Sequence, residues 1–114
     1  MATTMELVQA AKALINEITT EQASSLLNSG AQALDVREPA EFEAGHIANA
    51  HHIPRGMLEF MIANNSSLKN KDTEIVVYCK TGGRSALAAA TLLQLGYTNV
   101  SSMMGGFDLW EQNK

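Results

Sequence analysis

The chain is sparing with the residues that usually give a small protein special chemistry. Among its 114 residues it has one cysteine and two prolines. One cysteine excludes an internal disulfide and fits a reducing compartment. Positive charge is also scarce, with 8 Lys and Arg against 12 Asp and Glu, a formal net charge of −4. That balance argues against a general nucleic-acid partner, which requires a basic face. No apolar stretch approaches the ~20 residues of a membrane span. Residues 1–15 carry one cation, Lys12, and no long apolar core before a small-residue cleavage site, so they do not read as a signal peptide. The expectation is a cytoplasmic protein with neither membrane nor nucleic acid as partner. What remains is 46 % apolar and 18 % charged, the composition of one globular domain with a sizeable core.

Start and stop signals punctuate the chain. Thr3 with Glu6 and Thr19 with Gln22 have capping-box spacing, predicting helices to about Leu14 and Asn28, the second closed by Gly30. The first reads as a surface helix or frayed tail. Ile15 to Ile18 and Ala31 to Val36 read as strands. Pro39 suits a first helical turn, so a short helix runs to Ala44 and ends at Gly45. His46 to Pro54 reads as extended, since Pro54 pushes Ile53 out of the helical region. Met57, Leu58, Met61 and Ile62 share helical spacing, predicting a helix over Arg55 to Ala63 whose apolar face is core. Ile75 to Tyr78 is a buried strand, Ser85 to Leu95 a helix apolar nearly all round, and Asn99 to Met103 a last strand. Phe107 to Gln112 closes the chain with Trp110 on the core. Strands alternating with helices predict an α/β fold with a mainly parallel sheet.

The candidate site is Cys79, at the end of the Ile75 to Tyr78 run. Ligands of such sheets bind beyond the carboxyl ends of strands. Lys80, Thr81, Gly82, Gly83 and Arg84 must turn the chain sharply, and the glycine pair allows angles that aim successive N–H groups into one concavity. The next helix adds unpaired N–H groups and the positive end of its dipole. Such donors favour thiolate over thiol, the nucleophilic form. Lys80 and Arg84 place positive charge nearby. Arg84 has two readings: a fork for an oxyanion such as a sulfonate, or a brace for the loop.

These residues resemble the single-domain rhodanese-like sulfurtransferases. The resemblance rests on Leu34-Asp35-Val36-Arg37-Glu38, Glu41-Phe42, Gly45-His46-Ile47, Ala50, Ile53-Pro54, the Cys79 to Arg84 loop, and Gly105-Gly106-Phe107 with Trp110. It implies a rhodanese-like domain over 17–114, a helical extension over 1–16, and a five-stranded, mainly parallel sheet flanked by helices. It implies transfer of a sulfane sulfur in two steps. Cys79 takes it from a small anionic donor such as thiosulfate or a persulfide and passes it to cyanide, a thiol or an acceptor protein. No metal or organic cofactor is implied. Asp35, Arg37 and Glu43 resemble a charge network bracing a strand end, and His46 a turn residue bonded to backbone. Arg55 is a candidate for the pocket rim. His51 and His52 are adjacent in an extended stretch and so point to opposite faces, a poor start for a metal site.

Two rival readings use the same cysteine. A sulfur relay would hand the Cys79 persulfide to a partner protein. Cysteine phosphatases and arsenate reductases on a related fold use Cys-x5-Arg. Here four residues separate Cys79 from Arg84, a smaller cradle suited to one sulfur atom rather than a tetrahedral oxyanion.

Overall fold

A computed structural model describes residues 2–113. Both expected capping boxes form. Thr3 Oγ1 accepts the Glu6 N–H while Glu6 accepts the Thr3 N–H, and Thr19 and Gln22 do the same. They open α1 (Thr4–Leu14) and α2 (Thr20–Asn28). Between them lies β1 (Asn16–Ile18). The chain continues through β2 (Gln32–Asp35), α3 (Pro39–Ala44) and β3 (His51–His52). Then come α4 (Leu58–Met61), β4 (Ile75–Tyr78), α5 (Gly83–Gln94), β5 (Val100–Met103) and α6 (Gly106–Gln112).

The five strands form one sheet in the order β1-β5-β4-β2-β3, every pair parallel. This is the rhodanese-like α/β fold. β4 is central, flanked by β5 and β2, so its residues are buried on both faces. Period-two alternation divides it. Ile75, Val77 and Cys79 enter a core with Leu58, Ile62, Ala88, Ala89 and Leu92, on the α4 and α5 side. Val76 and Tyr78 enter the opposite core with Ile18, Ala23, Ile47 and Met103, backed by Phe107 and Trp110. Cys79 therefore faces α5.

Two elements depart from expectation. α1 is no frayed tail: it packs along α5, with Ala11 buried and the Val8 side chain beside Gly83. This contact explains why α5 is apolar nearly all round, since the sheet covers one face and α1 another. The helix expected over 55–63 is instead α4 between two 3₁₀ turns, Arg55–Met57 and Ile62–Asn64. Leu58 and Ile62 are buried as predicted. Met57 and Met61 are not core, at 45 % and 42 % exposed, and Phe60 beside them is 75 % exposed. With tight turns in place of a continuous helix, the four apolar positions no longer share one face. The extended segment before Pro54 pairs with the sheet over two residues.

Candidate active site

Cys79 follows the last residue of β4 and is 1 % exposed. Its sulfur lies under the turn into α5. Gly82, at φ +115°, closes that turn and donates its N–H to Cys79 Sγ at 3.1 Å. The left-handed angle requires glycine, because a side chain there is strained. Ser85, in the first turn of α5, backs the sulfur from the other side. Its Oγ accepts from the Cys79 thiol at 3.6 Å, donates to Gly82 O at 3.2 Å and meets Ser102 Oγ of β5 at 2.9 Å. When the sulfur carries charge, the same hydroxyl can rotate to donate to it.

The peptide carrying Cys79 is fixed from α6. The Phe107 N–H donates to Cys79 O at 2.8 Å and the Asp108 N–H to Lys80 O at 3.1 Å. The orphan N–H groups of one helix start thus satisfy the carbonyls of the reactive turn. Gly106 makes this approach possible: a Cβ there would press on Lys80 O and come within 2.6 Å of Cys79 O.

The cations beside Cys79 do not carry free charge. Lys80 Nζ pairs with Asp108 Oδ2 at 2.9 Å. Arg84 closes a bidentate fork on Glu41, with Nη1 to Oε1 at 2.7 Å and Nη2 to Oε2 at 2.9 Å. Glu41 Oε1 also accepts the Glu38 N–H at 3.0 Å, tying the fork to the start of α3. The Arg84 hydrogen bonds, with a smaller part from Glu38 and coulombic attraction, pull the Glu41 carboxyl down to about 2. Glu41 in turn raises Arg84 above its ordinary value. Of the two readings of Arg84, this geometry displays the brace.

Of the three residues expected in a charge network, Asp35 and Arg37 pair with each other and Glu43 stands apart. Arg37 Nη2 meets Asp35 Oδ2 at 2.7 Å and the Gly45 carbonyl at 2.7 Å, and both ions are buried. Burial opposes the Arg37 charge, yet hydrogen bonds and attraction from Asp35 leave it above its usual value. The guanidinium also lies 4.5 Å from the Phe107 ring and 5.7 Å from the Tyr78 ring. Those rings belong to the face opposite Cys79, so the pair braces the far side of the sheet. Glu43 is not part of it. Glu43 is exposed on α3, and Glu41 two residues earlier is the acid that turns toward the site. One helical residue offset of two points to the other side of the helix. His46 Nδ1 meets the Phe42 carbonyl at 2.8 Å, and its ring stacks on Phe42 at 3.7 Å.

Arg55 reaches Glu59 Oε1 at 3.1 Å and Thr91 Oγ1 of α5 at 3.0 Å. His51 is bonded to Gln32, and His52 to the Arg37 carbonyl. Among the described residues no group of three His, Cys, Asp or Glu stands together as a metal site. Two clefts of about 330 and 440 Å³ flank Trp110, and neither is lined by the 79–84 loop. Neither cleft contains Cys79.

Residues 19–113 match the family model described as Rhodanese-like domain. The chain belongs to this family. It is 40 % identical over 93 residues to a thiosulfate sulfurtransferase GlpE of Pseudomonas aeruginosa, covering 82 % of this chain and 81 % of that one. The human single-domain sulfurtransferase TSTD1 superposes with a TM-score of 0.79 at 30 % identity, over 86 % of this chain and 96 % of that one. A Rhodopseudomonas palustris protein of unknown function, described as a possible tyrosine phosphatase, superposes at 0.87 with 34 % identity, over 99 % and 92 %. As a rhodanese, the chain is a sulfurtransferase enzyme. The family match begins after α1 and β1, whereas the Rhodopseudomonas protein matches through them.

Sequence reasoning passed over Glu41, Ser85 and Gly106 as site residues. Glu41 had a signal, its position three residues after Glu38 at a helix start. Gly106 had a weaker one, as half of a glycine pair. Nothing local marks Ser85 as the neighbour of a sulfur.

Proposed function

We propose that this sulfurtransferase carries sulfur as a persulfide on Cys79. The observation that supports it most is the sulfur itself, placed at the end of the central strand with the Gly82 N–H aimed at it. In the first half-reaction the Cys79 thiolate attacks the outer sulfur of thiosulfate. A Cys79–S bond forms, the S–S bond of the donor breaks, and its electron pair leaves on sulfite. A small persulfide donor would leave as a thiolate. In the second half-reaction a thiolate or cyanide attacks the outer persulfide sulfur, and the Cys79 thiolate returns. Electrons balance in each step with no outside oxidant or reductant. This is covalent catalysis by an activated nucleophile.

The chain's own groups supply two effects. The Gly82 N–H and the first-turn amides of α5 stabilise anionic sulfur in place. Ser85 and the α6 contacts hold the turn so that this donor needs no rearrangement at the moment of reaction. The added sulfur extends the side chain by about 2 Å, from the floor of the loop toward its mouth.

The test is mass spectrometry of the protein after thiosulfate treatment. One extra sulfur on the Cys79 peptide is expected, lost on adding cyanide with release of thiocyanate, and absent in Cys79→Ser. An unmodified thiol together with turnover of a phosphoester would establish the phosphatase reading instead.

A further inference from the structure

The Arg84 fork is the part of the site most suited to an oxyanion, and it is occupied by the protein. Arg84 presents two parallel N–H donors in the geometry that grips a sulfonate or phosphate, and both go to the two oxygens of Glu41. The other cations near the sheet's carboxyl end are matched the same way, Lys80 by Asp108 and Arg55 by Glu59. The fork is not buried out of reach: the two side chains are 36 % and 30 % exposed. What withholds it is a tethered carboxylate. Glu41 is held by the Glu38 N–H on a helix whose first residue is proline, so it competes as an intramolecular partner against a dissolved anion.

We infer that Glu41 is a specificity-determining residue that keeps Arg84 from binding oxyanions, so the site recognises its donor at the sulfur rather than at a sulfonate or phosphate group. The inference deepens the persulfide reading and rests on it. It separates donors by class. A donor with one reactive sulfur and no oxyanion loses nothing by the occupied fork. Thiosulfate is bound without the contact that a free arginine would give it, and phosphate esters find no fork at all.

Inhibition by sulfate and the KM for thiosulfate test this directly, measured on wild type, Glu41→Gln and Arg84→Ala. Glu41→Gln keeps an oxygen for the Glu38 N–H while removing the charge. It should tighten sulfate inhibition roughly tenfold and lower the KM for thiosulfate several-fold, about what one freed bidentate contact supplies. Arg84→Ala leaves the Glu41 carboxylate without its counter-charge beside the site, so it should weaken sulfate inhibition rather than tighten it. The double variant, with neither the carboxylate nor the fork, should lose the gain shown by Glu41→Gln. An unchanged sulfate constant in Glu41→Gln overturns the inference. So does a gain in the double variant as large as that in Glu41→Gln, which would show that loss of the Glu41 charge acts without Arg84. Persulfide formation is scored separately by mass on wild type. Its absence sinks the persulfide reading, whereas an adduct with unchanged anion affinity sinks the role of Glu41 alone.

Discussion

At the scale of single residues, the site separates groups that do chemistry from groups that hold geometry. Cys79→Ser should lower sulfur transfer by at least about 10³-fold, the typical size of losing a nucleophile, with no change in circular dichroism. Asp35 is a different case. Its carboxylate faces Arg37 on the opposite side of the sheet, and both are buried. Asp35→Asn would leave Arg37 without its counter-charge and should cost about 3 kcal/mol in urea denaturation. The Glu41 carboxyl has a pH signature. Its folded value of about 2 lies below the ordinary 4.5, so the folded state binds the proton less tightly than the unfolded one. The stability this provides is complete above about pH 4.5 and is lost as pH falls toward 2. Because the pair is partly solvated, it amounts to no more than about 1 kcal/mol. The difference in urea midpoint between wild type and Glu41→Gln should therefore be flat above pH 5 and shrink below it.

At the scale of elements, the parts legible in advance were those written within a few neighbouring residues. Thr3 with Glu6 and Thr19 with Gln22 announce helix starts because a capping box is local. The Ile75 to Tyr78 run announces a strand buried on both faces because its apolarity is continuous. The illegible parts depend on partners far along the chain. Glu41 and Arg84 are 43 residues apart, and no periodicity links them. The docking of α1 on α5 leaves a trace only as surplus apolarity in α5. The exposure of Met57 and Met61 follows from two 3₁₀ turns that the spacing rule reads as α-helix. Gly106 is the element-scale test. Gly106→Ala, at φ +60° with its Cβ against two carbonyls, should cost about 3 kcal/mol or more and loosen the Cys79 turn. Chemical denaturation reads the first effect, and faster labelling of Cys79 by a thiol reagent reads the second.

At the scale of the whole molecule, the sheet joins the two ends of the chain. β1 pairs with β5, Asn16 opposite Ser101, so the edge beside β5 forms from residues 85 apart. The caps on the Cys79 and Lys80 carbonyls come later still, from Phe107 and Asp108. Pairings this distant place refolding in milliseconds to seconds rather than microseconds, and Trp110, the sole tryptophan, should report it in stopped-flow fluorescence. A fragment of residues 1–99 keeps the thiol but lacks β5 and α6, and its Cys79 should react with a thiol reagent as fast as a cysteine in a short peptide. The order of synthesis gives this arrangement a further meaning. Thirty-three residues lie from Lys80 to the end of α6 at Gln112. At ~5–20 residues per second they take roughly 2–7 seconds to add. For that interval every newborn molecule carries its Cys79 sulfur uncovered, open to whatever oxidant or electrophile it meets before α6 arrives to close the turn.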